Sequence, residues 1–352
     1  MCIRDRLSIG GDAAVHREVI RGRPEESCAY LIADGRRLEI LAANLERQPF
    51  GLSEAGAGII RLLRLRSSPP SSVSLPGGRL DLTAGPLIMG VLNVTPDSFS
   101  DGGRFDDPSR AADHAAQMAT DGASIIDIGG ESSRPGAAEL DPSLELDRVA
   151  PVLEKVSGLD GAVISIDTRH SVVAREAVRL GASMINDISG LVHDPGMIEV
   201  AAGSGAAVVV MHMKGTPETM QEGPEYDDAP DEISGWLESA TDRLVENGIA
   251  RDKIIVDPGI GFGKRLQDNL EIIDRIGDLH TLAYPVLAGY SRKSFIGAIT
   301  GRDDARERLA GGLAAAGMCL DAGVQILRVH DVRETADYIR VWKAIVRKGG
   351  SS

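Results

Sequence analysis

Residues 205–212 read Gly-Ala-Ala-Val-Val-Val-Met-His, and this stretch shows the unit from which the fold is deduced. Gly205 is suited to end a helix, because glycine adopts the left-handed conformation without a Cβ clash. The apolar, β-branched run Ala207–Met211 predicts a buried strand, and His212 places a polar side chain where that strand ends. A glycine turn, an apolar strand and a polar end residue together predict one βα unit of an α/β protein.

The same unit recurs along the chain. Glycine followed by Ala or Val also precedes apolar runs at residues 122, 181 and 323. Apolar runs that predict strands occur at Leu87–Leu92, Ser124–Ile128, Val163–Ile166, Ser183–Ile185, Ala207–Met211, Ile254–Val256, Pro285–Ala288 and Val324–Val329. Stretches of helical period lie between or after them, at Pro108–Asp121, Pro142–Val156, Val172–Leu180, Asp231–Asn247, Arg302–Ala322 and Val332–Val346.

Eight βα units in about 260 residues come close to the ~250 residues that are typical of a (β/α)₈ barrel. A doubly wound open sheet is the rival interpretation. Eight consecutive units favour a closed ring, and no GxGxxG sequence opens the first helix. We therefore predict an α/β fold, a (β/α)₈ TIM barrel, over residues 80–348.

The chain in front of the barrel differs in composition. Residues 67–78 read SSPPSSVSLPGG, which predicts a linker over residues 67–79. Residues 1–66 then form a small N-terminal α/β extension of unknown role. Within it, Asp34-Gly35 between two apolar runs indicates a β-hairpin, and Ala55–Arg66 indicates a short helix.

Bulk composition excludes several classes of protein. Of the 352 residues, 43% are hydrophobic and 26% charged, and the formal charge is −14. An acidic chain is poorly suited to bind nucleic acid or an anionic membrane, and no apolar run approaches the ~20 residues of a membrane span. Three scattered cysteines do not form a disulfide framework or a zinc cluster, so a cytoplasmic location is expected.

Polar side chains follow the predicted strands around the whole ring. They are Asn93, Asp127, Asp167, Asn186, Asp187, His212, Asp257, Lys293, Arg328 and His330. One such residue would more often cap the next helix. A full ring of them, which includes Lys, Arg and His, predicts one shared pocket at the end of the barrel where active sites lie.

The chemistry of these side chains suggests a ligand. Carboxylates and amides such as Asp167 and Asn186 can bind the ring N–H and amino group of an aminopyrimidinone. Lys293, Arg328 and His330 suit an oxyanion such as pyrophosphate, and Asn93 offers an oxygen to a Mg²⁺ on that pyrophosphate. The pocket is therefore predicted to bind a flat amino-heterocycle with a phosphorylated arm.

The loop Asp257–Lys264 contains three glycines around Phe262. It lacks the Gly-Lys-Ser/Thr ending of an ATP-binding loop, so we expect Phe262 to cover a flat ring instead. Met211, His212 and Met213 either pack in the core or form a thioether floor for that ring; packing is the default for Met213, and the role of His212 stays open. No metalloprotease spacing and no GxSxG elbow occurs in the chain.

Several motifs resemble the dihydropteroate synthase family, in the family's order. They are NVTPDSFSD at Asn93–Asp101, DIGGESSRPG at Asp127–Gly136, Ile166-Asp167-Thr168, Ile185–Ile188, Met211–Met213, Asp257–Lys264, Ser291–Ser294 and Arg328–Asp331. The resemblance covers residues 86–346. It implies a TIM barrel that condenses 6-hydroxymethyl-7,8-dihydropterin pyrophosphate with p-aminobenzoate.

The resemblance also implies a role for individual residues. Pterin would be bound by Asp127, Asp167, Asn186, Met211, Asp257, Phe262 and Lys293. Pyrophosphate would be bound by Asn93, Arg328 and His330, with Asn93 as the Mg²⁺ ligand. p-Aminobenzoate would be bound by Phe99, Ser133, Arg134, Pro135 and Ser294. Asp101, Lys293 and Arg328 would be catalytic, and the loop Asn93–Asp101 would close over the substrates and exclude water.

This sequence has Ser133 where the family typically has Thr, which keeps the hydroxyl and removes a methyl group. The family also implies a homodimer. Two alternatives share the pterin contacts: a methyltetrahydrofolate-dependent methyltransferase-type domain and a non-catalytic pterin-binding paralogue. The first does not need the loops Asn93–Asp101 and Glu131–Gly136, and the second would lack a loop or anion-binding residue, whereas all are present here.

Overall fold

The computed structural model describes residues 12–15, 29–48, 51–67, 69–95, 108–132 and 136–349. The chain divides into two units, residues 1–69 and residues 70–352. None of the helices in the described ranges is long and apolar enough to cross a lipid bilayer.

The first unit contains a strand pair and a helix pair. Strand β1 (Asp12–Val15) pairs antiparallel with β2 (Ala29–Ile32). Helix α1 (Gly35–Leu45) packs its buried Leu41, Ala42 and Leu45 towards α2 (Leu52–Ser67). The helix predicted at residues 55–66 is thus confirmed as part of α2.

The hairpin predicted at Asp34-Gly35 is wrong. Asp34 is the N-cap of α1, and its carboxylate accepts a hydrogen bond of 2.9 Å from the backbone N–H of Arg37. An aspartate in this position satisfies one of the free N–H groups of a helix start. Buried residues at 41, 42 and 45 also follow a helical period rather than the alternation of a strand.

A second hairpin opens the second unit. Strand β3 (Ser72–Leu75) pairs antiparallel with β4 (Gly78–Asp81). Val73 is fully buried in an apolar cluster with interior barrel residues such as Met89 and Ile125. The linker predicted at residues 67–79 is therefore wrong for the residues of this hairpin, which closes the end of the barrel where the strands begin.

Eight parallel strands form the barrel. They are β5 (Leu87–Asn93), β6 (Ile125–Gly129), β7 (Val163–Asp167), β8 (Met184–Asp187), β9 (Ala207–Met211), β10 (Ile254–Asp257), β11 (Leu287–Ala288) and β12 (Ile326–Val329). Their order in the sheet is β10-β9-β8-β7-β6-β5-β12-β11. The first and last strands of this order, β10 and β11, are joined by a parallel bridge between Val256 and Val286, which closes the ring. The predicted TIM barrel is confirmed.

Helices cover the outside of this ring. They are α3 (Pro108–Asp121), α4 (Pro142–Val156), α5 (Ser171–Arg179), α6 (Met197–Ser204), α7 (Ala229–Glu246), α8 (Leu266–Asp274), α9 (Ser294–Thr300), α10 (Leu309–Asp321) and α11 (Val332–Gly349). The single helix predicted at residues 302–322 is wrong at its start. A 3₁₀ turn at Ala305–Arg308 comes first, because Asp304 accepts a hydrogen bond from the backbone N–H of Arg306.

Side chains alternate between two faces along each strand, and this alternation positions the site. On β6, Ile126 and Ile128 pack outward against the helices, whereas Ile125 lies in the interior cluster. Asp127 shares the face of Ile125 and comes two residues later. The apolar filling at the start of the strands is thus followed, at their carboxyl ends, by a polar layer.

Candidate active site

One arginine connects two carboxylates at the centre of the polar layer. Arg328 on β12 donates from Nε to Asp127 Oδ2 at 2.7 Å and from its terminal nitrogen to Asp167 Oδ2 at 2.6 Å. Asn186 on β8 donates to the same oxygen of Asp127 at 2.8 Å. Four residues predicted from separate strand ends are therefore in direct contact.

These groups are removed from water. Asp127 is fully buried, and its Oδ1 has no hydrogen-bond partner among the described residues. Burial raises the pKa of Asp167 to about 7 although Arg328 opposes that shift. The pKa of Arg328 is raised by its two carboxylate partners, against the effect of burial, so the guanidinium stays charged. An unpartnered carboxylate oxygen in such surroundings is suited to accept an N–H group from a ligand.

A second acid–base pair lies beside this cluster. Asp257 on β10 accepts a 2.7 Å hydrogen bond from the backbone N–H of Gly259, and burial raises its pKa. Lys293 precedes α9, and its pKa is lowered to about 7 by burial and by the nearby charge of Arg328. Its Nζ lies 3.7 Å from the centroid of the Phe262 ring, within the range of a cation–π interaction.

An apolar cluster, called the slot below, lies beside these polar groups, because the amine of Lys293 contacts its Phe262 ring. Its side chains are Ile188, Met211, Met220, Phe262 and, partly buried, Met213. Phe262 reaches the slot because the loop before it turns at Gly259, where φ is +66°. A Cβ on Gly259 would overlap the carbonyl oxygen of His212. Thioether and aromatic side chains beside carboxylates can pack against a planar, amino-substituted ring.

The side expected to bind an anion contains a neutral histidine. Burial and the charges of Arg292 and Arg328 lower the pKa of His330 to about 3. Its Nδ1 lies 3.1 Å from Ser291 Oγ. His330 therefore differs from the sequence expectation of a cation, since at neutral pH it offers hydrogen bonds. Positive charge on this side comes from Arg328 and Lys293.

Residues 89–330 match the model of a family described as pterin binding enzyme. The chain is 46% identical over 268 residues to the dihydropteroate synthase of Escherichia coli (strain K12), which covers 76% of this chain and 94% of the relative. The chain belongs to the dihydropteroate synthase family. Two solved structures agree with this assignment.

The dihydropteroate synthase of Yersinia pestis, solved with a sulfonamide drug complex, is 42% identical with a TM-score of 0.74; the match covers 78% of this chain and 99% of that one. The enzyme of Xanthomonas albilineans, solved in complex with 7,8-dihydropteroate, is 38% identical with a TM-score of 0.71. It covers 78% of this chain and 98% of its own.

Sequence reasoning missed one buried residue of this dihydropteroate synthase site. Lys264 donates to the carbonyl oxygens of Phe262 and His212 at 2.9 and 3.2 Å, and its Nζ lies 3.1 Å from His212 Nδ1. Burial lowers the pKa of Lys264 to about 7 and that of His212 to about 2. The neutral imidazole accepts from the amine, and both residues hold the ends of the loop that carries Phe262. The Gly-Lys pair at the end of this loop was the available signal.

Other predicted site residues lie at the rim or outside the described residues. Asn93 ends β5 and is half-buried, and Ser294 is exposed at the start of α9. The remaining predictions concern the loops after β5 and β6, at Phe99, Asp101, Ser133, Arg134 and Pro135. These five residues lie outside the described residues, so their roles stay predictions.

Proposed function

We propose that the chain condenses 6-hydroxymethyl-7,8-dihydropterin pyrophosphate with p-aminobenzoate to give 7,8-dihydropteroate and pyrophosphate. It is a transferase of a pterinylmethyl group in folate biosynthesis. The observation that carries the proposal is the set of Asp127, Asn186 and Asp257, all buried, with the largely buried Asp167, beside an apolar cluster. Buried carboxylates without a full set of internal donors require a ligand that donates hydrogen bonds.

The pterin ring is proposed to lie in the slot between Met211 and Phe262. Its amino and ring N–H groups would donate to Asp127 Oδ1 and to Asp257, whose Oδ1 already accepts from Gly259. Lys293 would donate to a ring acceptor from its place over Phe262. Asn186 and Asp167 complete the polar edge.

Pyrophosphate is proposed to bind at Asn93, Arg328 and His330. The amide oxygen of Asn93 is one ligand of the hard oxygen type that Mg²⁺ prefers, and Mg²⁺ commonly completes its shell with phosphate oxygens and water. The donor set therefore fits a Mg²⁺ that arrives with the substrate. When bound, the ion would neutralise negative charge on the leaving pyrophosphate.

In the proposed reaction the bond between the methylene carbon and the pyrophosphate oxygen breaks. Arg328 stabilises the negative charge that develops on the leaving group. The amine nitrogen of p-aminobenzoate forms the new bond to the methylene carbon with its own lone pair and then releases a proton. We propose that Asp101 stabilises the positive methylene, and that Phe99, Ser133, Arg134, Pro135 and Ser294 hold p-aminobenzoate.

A homodimer in the cytoplasm is also part of this proposal. The last two barrel helices, α10 and α11, contact each other and carry apolar side chains that are more than half exposed: Met318, Val341 and Ile345. A second copy of the chain would cover them. Light scattering of the purified protein should give the mass of two chains, and Ile345→Asp should give the mass of one.

Pyrophosphate release from the two substrates and Mg²⁺ tests the main proposal. Release should require p-aminobenzoate, and sulfonamides should compete with it. Lys293→Ala or Arg328→Ala should lower the rate by about 10²–10³-fold or more, which is the typical effect of removing one charge-stabilising donor. Lys155→Ala, on the exposed face of α4, is the matched control and should keep full activity. Pterin binding without pyrophosphate release in the unchanged protein would favour a non-catalytic pterin-binding protein.

A further inference from the structure

Three side chains of the types that can bind metals converge near the carboxyl ends of the barrel strands, and the proposed reaction assigns them no role. Glu139 lies between β6 and α4, His170 between β7 and α5, and His193 between β8 and α6. Glu139 Oε1 is 2.9 Å from His193 Nε2 and 3.3 Å from His170 Nε2. The three ligand atoms lie within 4.8 Å of one another.

This spacing suits a small tetrahedral metal ion. Zinc binds imidazole nitrogen and carboxylate oxygen at about 2.0–2.2 Å, so two of its tetrahedral ligands lie about 3.3–3.5 Å apart. The distances from Glu139 to both histidines are close to this value. Two imidazoles and one carboxylate also favour zinc, cobalt or nickel over Mg²⁺, which prefers oxygen ligands only.

A buried carboxylate orients one of the imidazoles. Glu145 on α4 is fully buried, and its Oε2 lies 2.7 Å from His170 Nδ1. This contact places the proton of a neutral ring on Nδ1, which leaves the lone pair of Nε2 directed at Glu139. Metal-bound histidines usually donate their other ring N–H to a carboxylate, a backbone carbonyl or water, and Glu145 fits the first of these. The other oxygen of this carboxylate, Glu145 Oε1, has no hydrogen-bond partner among the described residues. It can therefore still accept a hydrogen bond.

The nearby arginine does not occupy the position of the cation. Arg169 donates to Glu131 at 2.7 and 3.1 Å, so its guanidinium charge is paired within the β6–α4 region. The contacts of Glu139 with the two histidines are hydrogen bonds when the imidazole nitrogens carry protons, and a bound metal ion would take the place of those protons.

We propose that Glu139, His170 and His193 bind one zinc-type divalent cation, with solvent at the fourth position. Glu139 and His193 are partly exposed, so the ion can enter from solvent. The bound ion would connect three consecutive βα loops at the catalytic end of the barrel. Its role is to hold these loops together, and it is separate from the Mg²⁺ proposed at Asn93.

Zinc titration of the purified full-length protein tests this site. After treatment with a chelator, the protein should bind one Zn²⁺ per chain in competition with a chromophoric chelator, and excess Mg²⁺ should not displace it. His193→Ala and Glu139→Gln should each weaken binding at least ~100-fold, because each removes a direct ligand. Glu145→Gln should weaken it about 10–100-fold through His170. His114→Ala, an exposed histidine on α3, should bind as tightly as the unchanged protein.

Co²⁺ gives an independent readout. Bound Co²⁺ should show visible d–d absorption in the unchanged protein and in His114→Ala but not in His193→Ala. Zinc should also raise the melting temperature only where the site is intact. Absence of stoichiometric binding, or equal binding by His193→Ala with unchanged circular dichroism, would show a cluster held by protons alone and would overturn the proposal.

Discussion

Replacement of Arg328 by methionine tests the electrostatic core of the site. The change keeps an unbranched apolar side chain and removes the guanidinium that bonds to Asp127 and Asp167 at 2.7 and 2.6 Å. Two buried carboxylates then remain without their shared cation. We expect a loss of stability in addition to the loss of activity.

The expected size follows from the burial of the partners. Breaking a buried ion pair costs about 3–5 kcal/mol, since an uncompensated charge remains in the interior. In the unchanged protein the pKa of Asp167 is about 7, above its ordinary value. The folded state therefore holds a proton that the unfolded state has lost, so stability falls as pH rises from about 4 and levels off near pH 7.

Without Arg328 the pKa of Asp167 rises further, and the fall continues above pH 7. The variant should thus lose about 1.4 kcal/mol more, relative to the unchanged protein, for each pH unit by which this pKa increases. Because the two stability curves diverge only above pH 7, the destabilisation measured at pH 8 should exceed that at pH 6 by up to about 1.4 kcal/mol.

Urea unfolding followed by circular dichroism at pH 6 and pH 8 measures both quantities. The control is Arg306→Met, which removes a surface arginine that pairs with Asp304 and is 81% exposed. It should leave the free energy of unfolding nearly unchanged at both pH values. Equal effects of the two substitutions, or a destabilisation by Arg328→Met that does not vary with pH, would refute the reasoning.

Three further predictions concern the pterin slot. The pKa of Lys293 is about 7, so its charge is lost as pH rises through neutrality; pterin affinity, measured by fluorescence, should fall above pH 7, and Lys293→Met should reduce that pH dependence. Phe262→Leu should weaken pterin binding by about tenfold, because it removes ring stacking worth about 1–1.5 kcal/mol; unchanged affinity would place the pterin elsewhere. Gly259→Ala should destabilise the protein by several kcal/mol, about 1–3 from strain at φ +66° plus the overlap with the His212 carbonyl. Gly203→Ala in α6, where a Cβ meets no atom within 4 Å, should instead stabilise it slightly, and equal melting temperatures for the two variants would contradict this explanation.

The barrel could be predicted because its signals are local. Glycine at helix ends, buried apolar runs and helical period each act over a few residues, and α3 and α4 have the predicted bounds. The hairpin β3–β4 could not be predicted in this way. Its Ser- and Pro-rich composition indicates a linker, whereas Val73 is held by contacts with barrel residues that come later in the chain.

The sequence predicted where the site residues lie, but not how they pair or which of them are charged. Parallel strands end at one edge, so Asp127, Asn186 and Arg328 had to lie near each other. The pairing of Arg328 with carboxylates and the neutral state of His330 depend on burial by surrounding elements, which a single sequence does not contain. The same applies to Lys264, whose amine turns inward to His212 and two backbone carbonyls.

The lowered pKa values of Lys264 and Lys293 have a consequence for how the ligand is bound. Lys264 and Lys293 both have a pKa of about 7, so at neutral pH each carries its proton about half of the time. An incoming pyrophosphate adds negative charge nearby and raises both values. Binding would then draw protons from the buffer, and the heat measured for it would change with the ionisation enthalpy of the buffer chosen. Proton uptake by the two lysines would thereby offset part of the negative charge that the substrate brings.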